Sequence, residues 1–103
     1  MDQAHSVKLV FTERAAGQID EIVRYIAGQS PQSARRVRDR IRVITTLIAQ
    51  HPYMGQKTDL DGVRRLTATP YPYIVFYRVR NDSVIIQRVR HTSRDPSSMP
   101  GRA

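Results

Sequence analysis

Residues 70–96 constrain the fold more strongly than any other segment, because they contain two apolar runs separated by a short polar turn. Both runs are rich in Val, Ile and aromatic residues, a composition typical of β-strands. The turn falls at Asn81 and Asp82, a dipeptide that tolerates the positive φ of a two-residue hairpin. Counting outward from this turn pairs Tyr77 with Ile86. The segment therefore predicts an antiparallel β-hairpin.

Both faces of the predicted hairpin are substantially apolar. Side chains alternate between the faces of a strand, so one face is expected to carry Tyr73, Val75, Tyr77, Val79, Val84 and Ile86, with Arg88 and Arg90 at its far end. The other is expected to carry Ile74, Phe76, Ile85 and Val89, with Arg78, Gln87 and His91 among them. This register places Val75 opposite Arg88. A sheet covered on one side only alternates cleanly between apolar and polar residues. We therefore expect the second face to be covered too, with another chain as a source of that cover. Which face packs on the chain's own helices stays open.

Two amphipathic helices are predicted upstream of the hairpin. The first is expected over residues 13–28, with Thr12 as its N-cap. Its apolar stripe is Ala16, Ile19, Ile22 or Val23, and Ile26. The second is expected to follow Ser30, with Pro31 at its first position, and to stop before Pro52. Its stripe is Ala34, Val37, Ile41, Ile44 and Ile48. A link this short requires the two helices to lie antiparallel.

The remaining segments complete an α+β fold. Strands are expected at residues 6–11 and 63–69, with a turn-rich loop at 51–62. The order β-α-α-β-β-β predicts an antiparallel helical hairpin packed on a small, largely antiparallel sheet. A length of 103 residues suits one domain. We expect that domain to span residues 1–96, with 97–103 as a flexible C-terminal tail.

Composition excludes several classes of function. The chain has no cysteine, and its three histidines lack metal-ligand spacing, so no metal site is predicted. No glycine-rich phosphate loop or nucleophile motif occurs, and no cofactor is expected. No run approaches the roughly 20 apolar residues that cross a bilayer, and the N-terminus lacks the layout of a signal peptide. We therefore expect no membrane contact and a cytoplasmic location.

Basic residues are the main candidates for a binding site. The net charge is +8, and 15 of the 17 basic residues are arginine, whose planar donors match carboxylates and phosphates. The arginines of the second helix are interpreted as a solvated face. Six other residues are expected to converge at one sheet edge and to bind a phosphate backbone or an acidic peptide: Arg64, Arg65, Arg88, Arg90, His91 and Arg94. His91 is the only histidine placed to serve as a general acid or base, although a histidine at a strand end is more often structural.

Five segments in order resemble the ParE branch of the RelE/ParE superfamily of bacterial toxins. They read VFTERA, IDEIVRYIAGQSP, LIAQHPYMG, YPYIVFYRV and RVRHTSRDP, and the resemblance covers residues 7–96. It implies a toxin of a type II toxin–antitoxin system, neutralised in a hetero-oligomer by a ParD-like antitoxin. The antitoxin is expected to cover the toxin with an acidic C-terminal segment, and to contact DNA through its other domain.

The resemblance also implies two alternative targets. The ParE branch is associated with inhibition of DNA gyrase and growth arrest, without catalysis. The RelE branch cleaves messenger RNA on the ribosome, and in this chain His91 with Arg64 or Arg65 would hold its catalytic positions. Lys57 is the only lysine in the loop where that branch clusters them, and no tyrosine follows Arg90, so we prefer the gyrase reading. The residues predicted to bind antitoxin or target are Tyr73, Val75, Tyr77, Arg88, Arg90, His91, Arg94, Arg64 and Arg65.

Overall fold

A computed structural model describes residues 7–94 of the chain. Its elements are β1 (Lys8–Phe11), α1 (Glu13–Ala27), α2 (Pro31–Gln50), β2 (Gln56–Lys57), β3 (Val63–Thr67), β4 (Tyr73–Arg80) and β5 (Ser83–His91), followed by a 3-10 turn at Thr92–Arg94. None of the described helices is long and apolar enough to cross a membrane. The expectations for the tail at 97–103 and for the first residue of the N-terminal strand lie outside the described residues.

Side-chain caps fix where both helices begin. The Thr12 hydroxyl oxygen accepts a hydrogen bond from the Ala15 amide at 3.0 Å. The Ser30 hydroxyl oxygen accepts one from the Ser33 amide at 3.1 Å. Each cap satisfies an amide that has no partner within its own helix, which favours a helix start at that residue. Both predicted helix starts are confirmed.

The helices present their apolar stripes to the sheet largely as predicted. All five residues of the predicted α2 stripe are buried: Ala34, Val37, Ile41, Ile44 and Ile48. In α1 the buried alanine is Ala15, whereas Ala16 is exposed, so the prediction for Ala16 was wrong. Ile19, Ile22 and Ile26 are partly buried against the core. The α1 stripe therefore begins one residue earlier than the periodicity indicated.

The sheet has five strands in the order β1-β5-β4-β3-β2. β1 is parallel to β5, and every other neighbouring pair is antiparallel. This arrangement confirms the predicted α+β class. β2 is an addition to the prediction, because its two residues fall in the segment expected to be a loop and pair with Arg64 and Arg65 of β3.

The helices pack on the sheet face that carries Val75 and Tyr77, which settles the choice that the sequence left open. Val75, Tyr77, Val84 and Ile86 have no exposed surface, and they share one core with four residues of the α2 stripe: Val37, Ile41, Ile44 and Ile48. On the opposite face, which we call the outer face, a smaller cluster is also buried: Val63, Ile74 and Phe76. The second apolar face expected from the sequence is therefore present. Its three central side chains are buried within this chain alone, so burying them does not require another chain, and cover of this face by a partner stays a prediction.

The predicted hairpin register holds near the turn and fails beyond it. Asn81 has a φ of 50°, and Tyr77 pairs with Ile86, as expected. The ladder then shifts, so that Arg88 lies opposite Phe76 and leaves Gln87 as an extra residue in β5. A one-residue bulge moves every following side chain to the other face. The predicted pairing of Val75 with Arg88 was therefore wrong, since Val75 lies opposite Val89.

Two polar side chains at the start of α1 hold this bulge in place. The Thr12 hydroxyl donates to the Gln87 carbonyl oxygen at 3.1 Å. The Gln18 side-chain oxygen accepts a hydrogen bond from the Val89 amide at 2.7 Å. β1 pairs with β5 only as far as Ile86, so these side chains bond to backbone groups of β5 just beyond the end of the ladder. The bulge is thus a tertiary feature, set by α1.

Candidate functional site

The outer face of the sheet surrounds its apolar cluster with arginines. Across β3, β4 and β5, one row of facing residues is Arg65, Phe76 and Arg88. The next row is Thr67, Ile74 and Arg90, and the row on the other side is Val63, Arg78 and Ile85. We call Arg65, Arg78, Arg88 and Arg90 the arginine face. The bulge creates half of this surface, because the unshifted register would have turned Arg88 and Arg90 toward the helices.

The arginine face is suited to an anionic partner. Its four arginines are half-buried, and each lies opposite a residue of the buried cluster on a neighbouring strand. Arg78 is fixed by a hydrogen bond from its Nη1 to the Asp61 carbonyl oxygen at 3.1 Å. Among the described strand residues none is Asp or Glu. Several guanidinium groups on one face attract carboxylates and phosphates, which accept hydrogen bonds from them.

Arg64 is separated from the other arginines of the predicted cluster. It pairs with Tyr77 and so faces the helix side of the sheet, opposite to Arg65. Its Nη1 donates to the carbonyl oxygens of Gly55 at 2.8 Å and Tyr53 at 3.2 Å. Its guanidinium carbon lies 5.1 Å from the centroid of the Tyr53 ring. Arg64 therefore supports the loop that follows α2.

Tyr77 supports the same loop from the core. Its hydroxyl donates to the Pro52 carbonyl oxygen at 2.8 Å and accepts from the Gly55 amide at 2.9 Å. Burial raises the pKa of Tyr77 above its usual value, so the phenol keeps the proton that it donates. Gly55 packs so closely that an added Cβ would lie 2.6 Å from the Tyr77 oxygen. This interaction explains why residue 55 has no side chain.

Two residues predicted to contact a partner are core residues instead. Val75 and Tyr77 have no exposed surface and lie beneath the chain's own helices. A partner has no access to either side chain in this fold, so that part of the predicted binding set is wrong. The sequence prediction failed here because both hairpin faces are apolar. Tyr73, on the same face near the end of the hairpin, is half-buried.

His91 has a structural role at the end of β5. Its ring meets the Tyr73 ring edge-on, with centroids 5.4 Å apart. Its Nδ1 accepts a hydrogen bond from the Ser93 amide at 3.1 Å and lies 2.8 Å from the Ser93 hydroxyl oxygen. Accepting a hydrogen bond from the Ser93 amide requires a lone pair on Nδ1. His91 therefore caps the 3-10 turn. The predicted contribution of the Arg94 side chain lies outside the described part of the structure.

The residues expected to act together in catalysis are not assembled. Arg65 lies on the outer face, whereas His91 pairs with Tyr73 on the helix side. Arg64 and His91 lie on the same side of the sheet. The β4 residues opposite them, Tyr77 and Tyr73, are four residues apart, about 13 Å along the strand. Within residues 7–94, no group of three or more metal-ligating side chains occurs. The predicted basic edge therefore divides into an arginine face, a loop support and a turn cap.

Comparisons with known proteins identify the family of the chain. The family model described as the ParE toxin of a type II toxin–antitoxin system, parDE, matches residues 9–96. Toxin RelE2 of Caulobacter vibrioides is 32% identical over 87 residues, which cover 84% of this chain and 97% of RelE2. Toxin RelE3 of the same organism is 30% identical over 81 residues, covering 77% and 87% of the two chains.

Solved structures agree with this assignment. A chain of the chromosomal ParDE toxin–antitoxin system from P. aeruginosa matches with a TM-score of 0.75 and 26% identity. The match covers 84% of this chain and 97% of that one. Because the family model spans nearly the whole described fold, the chain belongs to the ParE toxin family of type II toxin–antitoxin systems, within the RelE/ParE superfamily.

Proposed function

We propose that this toxin acts by binding its target rather than by catalysis, and that the target is DNA gyrase. The observation that carries the proposal is the separation of His91 from Arg64 and Arg65. A general acid or base has to lie within hydrogen-bond reach of the proton that it transfers, directly or through one water. His91 bonds to Ser93 through Nδ1, and Arg64 bonds to backbone carbonyls. The choice of gyrase is supported by the ParE family match.

The proposed inhibitor of the toxin is a ParD-like antitoxin with an acidic C-terminal segment. The arginine face complements such a segment in charge, and the structurally similar chain from P. aeruginosa comes from a ParDE system. Acidic side chains of the antitoxin would pair with Arg88 and Arg90, whereas its other domain would contact DNA. The neutralised form of the chain is then a hetero-oligomer of toxin and antitoxin.

A supercoiling assay tests the target. Purified full-length chain should inhibit negative supercoiling of plasmid DNA by gyrase, and an excess of antitoxin should restore it. Induction in cells should arrest growth with DNA-damage signalling. Normal supercoiling at saturating toxin would refute the gyrase assignment and leave the toxin family unaffected.

The variant His91→Ala separates binding from catalysis. We expect it to inhibit gyrase as the wild type does, once circular dichroism shows that it is folded, because His91 contacts Ser93 and Tyr73 of its own chain. Under the alternative, a ribosome-dependent ribonuclease that uses His91, this variant would bind antitoxin but lose transcript cleavage. Site-specific cleavage of transcripts after induction of the wild type, abolished by His91→Ala, would overturn the proposal.

A further inference from the structure

Residues 52–55, which we call the tyrosine loop, expose two large side chains on a tightly held backbone. Tyr53 is 68% exposed and Met54 is 44% exposed. Gly55, next to them, is buried. The loop follows the last turn of α2 and leads into β2. An exposed tyrosine beside an exposed methionine gives the loop an apolar surface at the margin of the helix side of the sheet.

The backbone of the tyrosine loop is held by four hydrogen bonds to side chains of β3 and β4. Tyr77 bonds to the Pro52 carbonyl and to the Gly55 amide. Arg64 donates to the carbonyls of Tyr53 and Gly55. Surface loops are ordinarily among the more mobile parts of a fold. This one is held by a buried phenol and a guanidinium, so little backbone entropy is lost when a partner binds, and the Tyr53 ring packs beside the Arg64 guanidinium.

Arg64 also has donors that can bind an acidic group beside the Tyr53 ring. Both of its hydrogen bonds to the loop use Nη1, and Nε and Nη2 donate to no other residue in the described chain. Lys57 lies directly opposite Arg64 in the β2–β3 pair and is exposed. A carboxylate can accept two parallel hydrogen bonds from the Nε and Nη2 edge of a guanidinium. An aromatic anchor next to an arginine is also the usual composition of a binding hot spot.

We propose that the tyrosine loop, with Arg64 and Lys57, is the surface through which this toxin contacts its target. The partner that fits is a folded protein surface with an apolar recess for Tyr53 and a carboxylate for Arg64. A preformed patch suits docking of a folded partner with little rearrangement. The acidic antitoxin segment has its charge complement on the arginine face, on the other side of the sheet. This inference rests on the proposed function, because it takes gyrase as the partner.

Matched alanine variants of the full-length chain test the inference. Tyr53→Ala removes the anchor, and Tyr25→Ala removes an equally exposed tyrosine, 71% accessible, from α1. We expect Tyr53→Ala to raise the half-inhibitory concentration in the supercoiling assay about 30-fold or more, as loss of a hot-spot residue does. Tyr25→Ala should stay within about twofold, the effect of losing one solvated side chain. Tyr53→Phe keeps the ring and should retain most of the inhibition.

Two further measurements distinguish loss of target binding from unfolding and from loss of antitoxin binding. Thermal unfolding of each variant shows whether the fold is intact, and titration with the purified ParD-like antitoxin reports antitoxin binding. Full inhibition by folded Tyr53→Ala would overturn the inference. So would unchanged toxicity with weakened antitoxin binding, which would assign the loop to the antitoxin.

Growth arrest separates failure of this inference from failure of the proposed target. If the wild type arrests growth but leaves gyrase active, the target is wrong, and loss of arrest in Tyr53→Ala but not Tyr25→Ala still supports the loop. Equal arrest by both variants would overturn it. A wild type that neither arrests growth nor inhibits gyrase would overturn the inference together with the proposed function.

Discussion

Replacing Tyr77 with Phe removes a single oxygen atom and should measurably destabilise the toxin. The ring stays in the core, so the apolar packing of this fully buried residue is retained. The change deletes the bond to the Pro52 carbonyl at 2.8 Å and the bond from the Gly55 amide at 2.9 Å. Pro52 is partly exposed and its carbonyl can turn to water, whereas Gly55 is buried. Leaving a buried donor unsatisfied costs about 1–3 kcal/mol, which is the loss that we expect in the free energy of unfolding.

Chemical and thermal denaturation, followed by circular dichroism, measure this loss. In a domain of about 100 residues, each kcal/mol lowers Tm by about 4–8 °C. Tyr25→Phe is the matched control, because Tyr25 is exposed and its loss of a hydroxyl should change the free energy of unfolding by less than about 0.5 kcal/mol. If Tyr77→Phe were as stable as the wild type, the Tyr77 hydroxyl would not hold the tyrosine loop, and only the two bonds from Arg64 would support a preformed loop.

The buried Tyr77 hydroxyl also predicts how the stability of the toxin depends on pH. Burial raises the pKa of Tyr77 in the folded chain above its value of about 10 in the unfolded chain. The folded state therefore holds the phenolic proton more tightly. The contribution of Tyr77 to stability is complete below pH 10 and is lost as the pH rises through the folded pKa. The stability difference between wild type and Tyr77→Phe should thus be constant from about pH 7 to 9 and shrink above about pH 10. A difference that grew in the alkaline range would contradict this.

Three further substitutions, two of them with a control variant, examine the other contacts. Gly55→Ala places a Cβ 2.6 Å from the Tyr77 oxygen and should cost about 1–3 kcal/mol in urea denaturation. Gln18→Ala leaves the Val89 amide without its 2.7 Å acceptor and should cost about 1 kcal/mol, whereas Gln18→Glu should cost less because it keeps the acceptor. Arg88→Glu should weaken antitoxin binding in titration calorimetry, most clearly at low salt. Arg35→Glu, an equal charge change on the exposed side of α2, should have little effect, and equal weakening by both would mean that only net charge matters.

The parts of the fold that depend on local sequence were predictable. Thr12 and Ser30 cap helices through amides three residues away, and the α2 stripe follows from helical spacing alone. The turn at Asn81 follows from the φ that this residue tolerates. Each of these features is decided within about one turn of the chain. A pattern read along the sequence contains all the information that they need.

The parts that depend on distant contacts were not predictable. β2 has only two residues, and the loop leading into it is held by Arg64 and Tyr77 from strands further along the chain. The hairpin face that packs on the helices could not be chosen, because Ile74 and Phe76 on one face are as apolar as Val75 and Tyr77 on the other. Counting alternate residues also assumes an unbroken ladder, so it could not reveal that Gln87 lies in a bulge.

The bulge explains how one strand serves both the core and the arginine face. Without it, Arg88 and Arg90 would point at the helices, where a buried guanidinium needs a paired partner to offset its lost hydration. Val89 would meanwhile lie among the arginines of the outer face. One extra residue instead leaves Val89 only 2% exposed in the core and turns both arginines outward. Thr12 and Gln18 compensate by bonding to the backbone groups around the extra residue. The charge of the outer face is thus tied to the packing of α1, so a change that loosens α1 should also disturb the surface proposed to bind antitoxin.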